Sequence, residues 1–264
     1  MTRTWTLLLC MLAVHTAGMS QDLSAYQKKL LIAGTDTLPY RLLLPEGYDP
    51  SKEYPLVLFL HGAGERGSDN EKQLTHGARL FLQPHIRSQL PAIVVFPQCP
   101  GPSYWAAVTF SYDSINKRRG FYFPEEVEPS SAMVMLQLLW YNLHRQFNIR
   151  NDQQYVMGLS MGGMGTFELV KRMPNTFAAA IPICGGSSTA NAKYMKGTAF
   201  WIHHGDADGV VPVQLSRDMA TALQQFYSAS DMMLTIYPGV NHNSWDNALA
   251  DPQLLPWLFS QKRK

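Results

Sequence analysis

The sequence predicts an α/β fold in which a mostly parallel central sheet carries helices on both faces. Short apolar runs rich in Val, Ile, Leu and Phe recur at residues 56–60, 92–96, 155–159, 177–183, 199–203 and 233–237, as in strands buried on both faces. Between several of them lie amphipathic stretches at 131–147, 162–172 and 213–227, long enough to be the crossover helices that parallel strands require. With 264 residues, 46% hydrophobic and 16% charged, the chain can bury a sizeable core.

In chain order, residues 1–20 read as an export leader. Arg3 precedes an apolar run over 5–14, and Ala17, Gly18 and Ser20 follow as a cleavage region, which puts the cut after Ser20 and leaves a single domain at 21–264. The expected location is secreted or periplasmic. Cys10 would leave with the leader. Cys99 and Cys184 each follow a strand-like run and are expected as two buried thiols rather than a disulfide.

Residues 38–44, ahead of the turn-like Pro45-Glu46-Gly47-Tyr48-Asp49-Pro50, are expected to add an antiparallel edge strand. The runs at 56–60 and 92–96 follow, and then the rhythm breaks. Residues 98–129 lack helical periodicity yet carry Tyr104, Trp105, Phe110, Tyr112, Phe121, Tyr122 and Phe123. Aromatic rings bring apolar area that favours burial, so this interval is expected to cover the domain as a packed loop or to contact a substrate. Beyond it the alternation resumes and continues to residue 237. No repeat, charge block or linker divides the chain.

Several function classes are excluded early. Lys and Arg number 22 against 20 Asp and Glu, and the dense basic cluster is confined to Lys262-Arg263-Lys264, so a nucleic-acid partner is not expected. No stretch reaches the roughly 18 apolar residues that would span a bilayer. The eight histidines include the adjacent pair His203-His204, which a strand end would point to opposite sides, and no His-Glu-x-x-His or Cys-x-x-Cys spacing occurs. The turn at 63–67 lacks the Lys-Ser/Thr of a phosphate loop. Neither a metal nor a cofactor is expected.

The residues that carry chemistry begin with Gly158-Leu159-Ser160-Met161-Gly162, which follows a strand-like run and opens a helical stretch. Such a strand-to-helix elbow exposes a serine hydroxyl, and glycine is needed on both sides because a β-carbon there would meet neighbouring backbone. Serine is a poor nucleophile unless a base takes its proton, and that base needs an orienting carboxylate. His204-Gly205-Asp206-Ala207-Asp208-Gly209-Val210-Val211-Pro212 places two carboxylates after the run at 199–203. His242, in Gly239-Val240-Asn241-His242-Asn243-Ser244-Trp245, follows the last strand. Serine, acid and base would thus gather at one edge of the sheet.

The elbow, the His-Gly-x-x-Asp-x-x-Val-Pro pattern at 204–212 and the Gly-x-x-His-x-x-Trp pattern at 239–245 resemble the α/β-hydrolase superfamily. More narrowly, His61-Gly62-Ala63-Gly64-Glu65-Arg66-Gly67, Phe96-Pro97-Gln98-Cys99-Pro100 and Pro182-Ile183-Cys184-Gly185-Gly186 resemble secreted bacterial esterases. These are related to feruloyl and acetylxylan esterases, polyhydroxybutyrate depolymerases and predicted peptidases of the prolyl-oligopeptidase type. The resemblance spans residues 39–259.

This resemblance implies Ser160 as nucleophile, His242 as base and Asp208 as acid, with Asp206 bracing its loop. It implies an oxyanion hole from the backbone N–H groups of Ala63 and Met161 and a structural role for His61; the adjacent Glu65 and Arg66 either brace the turn as an ion pair or, as is more usual for neighbouring opposite charges in a turn, are simply solvated. Gln98, Trp105 and Trp245 are expected at the substrate, with Trp105 bordering the cleft. The implied activity is hydrolysis of carboxylic esters, acyl or feruloyl esters of plant polysaccharide among them. The alternatives are a peptidase using the same groups and a catalytically silent binding protein on the same scaffold.

Overall fold

The computed structural model describes residues 22–115, 118–227 and 231–263. The expected leader, Cys10 and Lys264 lie outside the described residues. The chain runs β1 (Gln27–Ala33), β2 (Asp36–Leu43), β3 (Tyr54–Leu60), α1 (Pro84–Gln89), β4 (Ile93–Pro97), β5 (Thr109–Asp113) and β6 (Arg118–Tyr122). It continues with α2 (Ser131–Gln146), β7 (Ile149–Leu159), α3 (Met161–Arg172), β8 (Ala179–Ile183), β9 (Ala199–Gly205), α4 (Val213–Gln224), β10 (Met232–Tyr237), α5 (Trp245–Ala250) and α6 (Leu254–Ser260).

Eight strands form one sheet in the order β1-β2-β4-β3-β7-β8-β9-β10. From β4 through β10 every neighbouring pair is parallel, whereas β1 pairs antiparallel with β2 and β2 with β4. The α/β class is therefore as expected, with one change at the margin. β2, expected as the edge strand, lies second, and β1 takes the edge. Leu30 and Ile32 of β1 are exposed, so its apolar residues produce no buried run to read in the sequence. The two-residue Gly34-Thr35 link, with Gly34 at φ +62°, closes that hairpin as a tight turn whose backbone favours glycine.

Strand periodicity sorts the core into two layers. Leu56, Leu58 and Leu60 of β3 pack toward the side of α2, α3 and α4. Val57 and Phe59 pack on the opposite face with Phe96 and the buried leucines of α6. The rings of Phe59 and Phe96 stack at 4.7 Å. Replacing such a fully buried leucine by alanine costs about 2–5 kcal/mol. The helix α2 begins at a Ser130 cap whose hydroxyl accepts the Met133 N–H at 3.1 Å and donates to the Tyr104 carbonyl at 2.6 Å, anchoring the aromatic interval to the helix.

Register places the functional loops together. Leu60 lies opposite Gly158, Leu159 opposite Ile183, Ile183 opposite His203, and Gly205 opposite Tyr237. The loops that leave β3, β7, β9 and β10 therefore emerge along a single edge of the sheet.

The interval 98–129 forms neither a plain loop nor a helix. It folds into the antiparallel β5–β6 hairpin, a separate two-stranded sheet. Its rings divide: Trp105 is fully buried, while Phe110, Tyr112 and Tyr122 are exposed.

Two buried histidines make the fold acid-sensitive. Burial lowers the pKa of His61 from the ordinary 6.5 to about 4 and that of His203 to about 3. The unfolded chain takes up protons at both rings near pH 6.5 and the folded chain resists them. Stability is therefore complete above pH 6.5 and falls as the pH drops toward 4, by on the order of 3 kcal/mol for His61. Urea unfolding at pH 7, 5.5 and 4 is expected to show this decline, and an unchanged midpoint across the series would contradict it.

Candidate active site

Ser160 sits between β7 and α3 with φ +54° and ψ −115°, a backbone conformation that non-glycine residues rarely adopt. The surroundings enforce it. A β-carbon at Gly162 would run into the Leu60 carbonyl, and one at Gly158 would meet the Gly162 carbonyl. The Ser160 N–H donates to the Ile183 carbonyl at 2.8 Å, fixing the turn to β8.

The hydroxyl of Ser160 lies 2.9 Å from His242 Nε2, and His242 Nδ1 lies 2.8 Å from Asp208 Oδ2. The second carboxylate oxygen, Oδ1, accepts the Val210 and Val211 N–H groups at 2.8 and 2.9 Å. Burial pushes the Asp208 pKa up, but hydrogen bonds from His204, His242 and these two N–H groups outweigh it and hold the carboxyl well below its usual range. An ionised carboxylate only accepts, so His242 carries its proton on Nδ1 and turns the Nε2 lone pair toward Ser160. Chemically, this arrangement can take a proton from the serine as the oxygen attacks an acyl carbon.

The two neighbouring aspartates separate cleanly. Asp208 has a fully buried side chain within the chain of hydrogen bonds, while the exposed Asp206 accepts the Gly239 N–H at 2.6 Å and ties its loop to the one carrying His242.

Two further residues were not assigned a role from the sequence. His204, fully buried, directs Nε2 at both Asp208 Oδ2 (3.2 Å) and the Val211 carbonyl (3.0 Å), leaving Nδ1 for the Ser216 hydroxyl at 2.7 Å. It holds Asp208 from behind. Asn241 accepts the Gly209 and His242 N–H groups on one oxygen, at 3.0 and 2.7 Å, and so joins the acid loop to the base loop. Its signal in the sequence was its type, since Asn side chains commonly organise turns, and its place beside His242.

The turn after β3 approaches the same point. Met161 opens α3, where the first N–H groups lack intrahelical acceptors, and Ala63 opens the short 63–65 turn; Ala63 and Ser160 line one cleft. Beneath the turn, His61 Nδ1–H donates to the Gly62 carbonyl at 2.6 Å and Nε2 accepts the Cys99 N–H at 2.9 Å, a structural role. Of the two readings for Glu65 and Arg66, the ion pair does not form. Arg66 instead donates to the Ala63, Gly101 and Ser103 carbonyls, and Glu65 faces His76 at 3.9 Å.

Two of the three expected substrate contacts are corrected. Trp105 is fully buried, edge-on to His61 at 5.5 Å and pressed against Gly165, so its ring packs the interval onto the domain and does not border the cleft. Gln98 is also fully buried. Its amide accepts the Asn70 N–H and donates to the Glu65 carbonyl and Asp69, clamping the turn from below. Trp245 does line the cleft, with its ring 5.3 Å from that of His242. The cleft has a volume of about 220 Å³, and Tyr104, Arg119 and Phe121 line it where Trp105 was expected.

Cys99 and Cys184 are buried free thiols. Among the described residues, Cys184, Asp208 and His242 bring potential metal-ligand atoms within 4.8 Å of one another. Burial raises the Cys184 pKa far above the usual range, and Asp208 and His242 already hydrogen-bond each other, so this set is poorly suited to a cation. No helix among the described residues is long and apolar enough to cross a membrane.

Residues 49–253 match the family described as phospholipase/carboxylesterase. The chain belongs to this family of α/β-hydrolases. Among solved structures it is similar to a thermostable esterase, with 32% identity and a TM-score of 0.79 over 91% of this chain; it spans 64% of that protein's length. It also shares the fold of the feruloyl esterase module from Clostridium thermocellum complexed with sinapinate (16% identity, TM-score 0.63, 89% and 88% of the two chains). A ferulic acid esterase from Anaeromyces mucronatus in complex with ferulic acid is similar at 15% identity and a TM-score of 0.59, over 89% and 87%. No curated protein matches the sequence.

The placement of Trp105 yields a prediction that reverses the sequence expectation. Trp105→Ala is expected to cost about 3–5 kcal/mol of stability, as for other large buried aromatics, and to lower turnover of small and bulky esters alike. Thermal unfolding alongside paired kinetics checks it; an unchanged melting temperature with loss confined to aryl esters would restore a substrate role.

Proposed function

We propose that this carboxylesterase-family hydrolase cleaves carboxylic esters by a serine mechanism. The observation that carries the reading is the unbroken hydrogen-bonded series from Ser160 through His242 to the ionised Asp208 at a strained elbow. Ser160 Oγ attacks the ester carbonyl while His242 Nε2 takes its proton. The N–H groups of Ala63 and Met161 receive the charge that develops on the carbonyl oxygen. Protonated His242, stabilised by Asp208, then donates to the departing alcohol. Water, deprotonated by the same nitrogen, cleaves the acyl-enzyme and restores Ser160.

Cleft volume favours small acyl groups. At about 220 Å³ it falls below the roughly 300–1,000 Å³ of pockets that enclose a drug-sized ligand, so only one short chain or single ring enters and the remainder of the substrate lies outside. The carboxylesterase family match and the similarity to a thermostable esterase support an ester rather than an amide as the bond cleaved.

Ser160→Ala is expected to lower kcat on p-nitrophenyl acetate by on the order of 10⁴-fold while the protein stays folded by circular dichroism. Activity within tenfold of the parent would remove Ser160 from the mechanism.

The aspartates provide a second test. Asp208→Asn should cost on the order of 10³- to 10⁴-fold by favouring the wrong histidine tautomer, and Asp206→Asn far less, because its bond to Gly239 only braces a loop. The opposite ranking in steady-state kinetics would transfer the role of acid to Asp206.

A further inference from the structure

The β5–β6 hairpin presents one of its faces to the cleft. Phe110 pairs directly with Phe121 and Tyr112 with Arg119, and two-residue alternation puts all four side chains on the same side. Phe121 and Arg119 line the cleft together with Ser160 and His242. Tyr104 and Phe110 meet edge to face at 5.5 Å and Phe110 and Phe121 at 5.6 Å, a continuous aromatic wall. The Arg119 guanidinium stands 5.9 Å from the centre of the Phe110 ring.

Arg119 also marks a boundary. It and Val210 line both the cleft and an adjoining groove of about 420 Å³ beside the Asp206–Asp208 loop, whereas Glu65, His76 and Trp245 line the cleft alone. The carboxylates of this region are otherwise engaged: Asp208 by two histidines and two N–H groups, Asp206 by the Gly239 N–H, and Glu65 beside His76. Arg119 makes no ion pair among the described residues. An arginine keeps its charge at every accessible pH and offers a planar fork that matches a carboxylate. Beside an aromatic wall, that fork suits a flat ring bearing an anionic group.

Accepting Ser160 and His242 as the reacting pair, we propose that Arg119 selects esters whose aryl portion carries a carboxylate, held with the ring against Phe121 and Tyr104 and the charge at the mouth of the groove. The carboxylate can belong to the leaving phenol or to the acyl group, and the two cases call for different probes. The pair 3-carboxyphenyl acetate and 3-carbamoylphenyl acetate carries the charge on the alcohol. The pair methyl 4-carboxybenzoate and methyl 4-carbamoylbenzoate carries it on the acyl group. Within each pair shape is nearly constant and charge alone changes.

In at least one pair the parent is expected to favour the anion in kcat/KM by about five- to tenfold, a preference that shrinks in 0.5 M salt. Arg119→Gln should bring that ratio close to one, Arg119→Glu should invert it, and Arg119→Lys should retain part of it because a compact ammonium lacks the fork. Binding of the intact esters to Ser160→Ala, measured by calorimetry with and without Arg119→Gln, reads the same preference without turnover. Loss of hydrolysis with anion preference still present in binding overturns the esterase reading and leaves Arg119 in place. Ratios in Arg119→Gln within twofold of the parent, in both pairs and in binding, overturn the role of Arg119.

Discussion

Everything at this site depends on how closely the elbow is pressed against β3. The Leu60 carbonyl occupies the space a side chain at Gly162 would need, and that contact brings the start of α3 next to the turn after β3. The proposed oxyanion hole needs that proximity, since its two N–H groups come from separate segments. The strain at Ser160, φ +54° without a glycine's freedom, is sustained because β3, β7 and β8 over-determine the position: the Ser160 N–H is held by Ile183, and Gly158 and Gly162, two residues to either side, leave room for the neighbouring backbone. The Ser160 hydroxyl reaches the cleft because the backbone beneath it has nowhere else to go.

The second organising element is a single buried carboxylate. Asp208 draws hydrogen bonds from β9 through His204, from its own loop through Val210 and Val211, and from the loop after β10 through His242. Desolvation alone would favour a neutral acid, and it is the number of donors that keeps the charge. Asn241 and Asp206 then join the two loops through backbone N–H groups, so the position of the imidazole is set by several weak contacts and does not rest on one pair.

How much of this was legible in the sequence follows from which interactions are local. Gly158-x-Ser160-x-Gly162 could be read because a tight elbow excludes side chains at fixed offsets, and the buried strands because both faces are apolar. β1 left no such trace, since Leu31 alone of its apolar residues is buried while Leu30 and Ile32 face solvent at the sheet edge. The polar start of β7, from Arg150 to Gln154, extends a strand whose apolar part begins only at Tyr155. Trp105 and Gln98 were misplaced for a common reason: position after a strand end shows that a residue is near the site, but not whether it points into the cleft or beneath it. Arg119 and Phe121 were legible only as members of an aromatic-rich interval, because their approach to Ser160 depends on a hairpin whose strands pair with each other and with no part of the main sheet.

That independence has an evolutionary consequence. A strand inside the eight-stranded sheet cannot change register or length without disturbing two neighbours and both core layers. The β5–β6 hairpin shares no backbone ladder with them; it is attached through Trp105, the Ser130 hydroxyl bonded to the Tyr104 carbonyl, the packing of Phe121 and Phe123 against Met164 and Val211, and the Lys171 and Arg172 side chains on the Glu125 and Val127 carbonyls. The exposed Tyr112 and Tyr122 lie outside those contacts, so their chemistry can change at little cost to folding. Change in this one segment would reshape the wall of the cleft while leaving the elbow and the loops of Asp208 and His242 untouched.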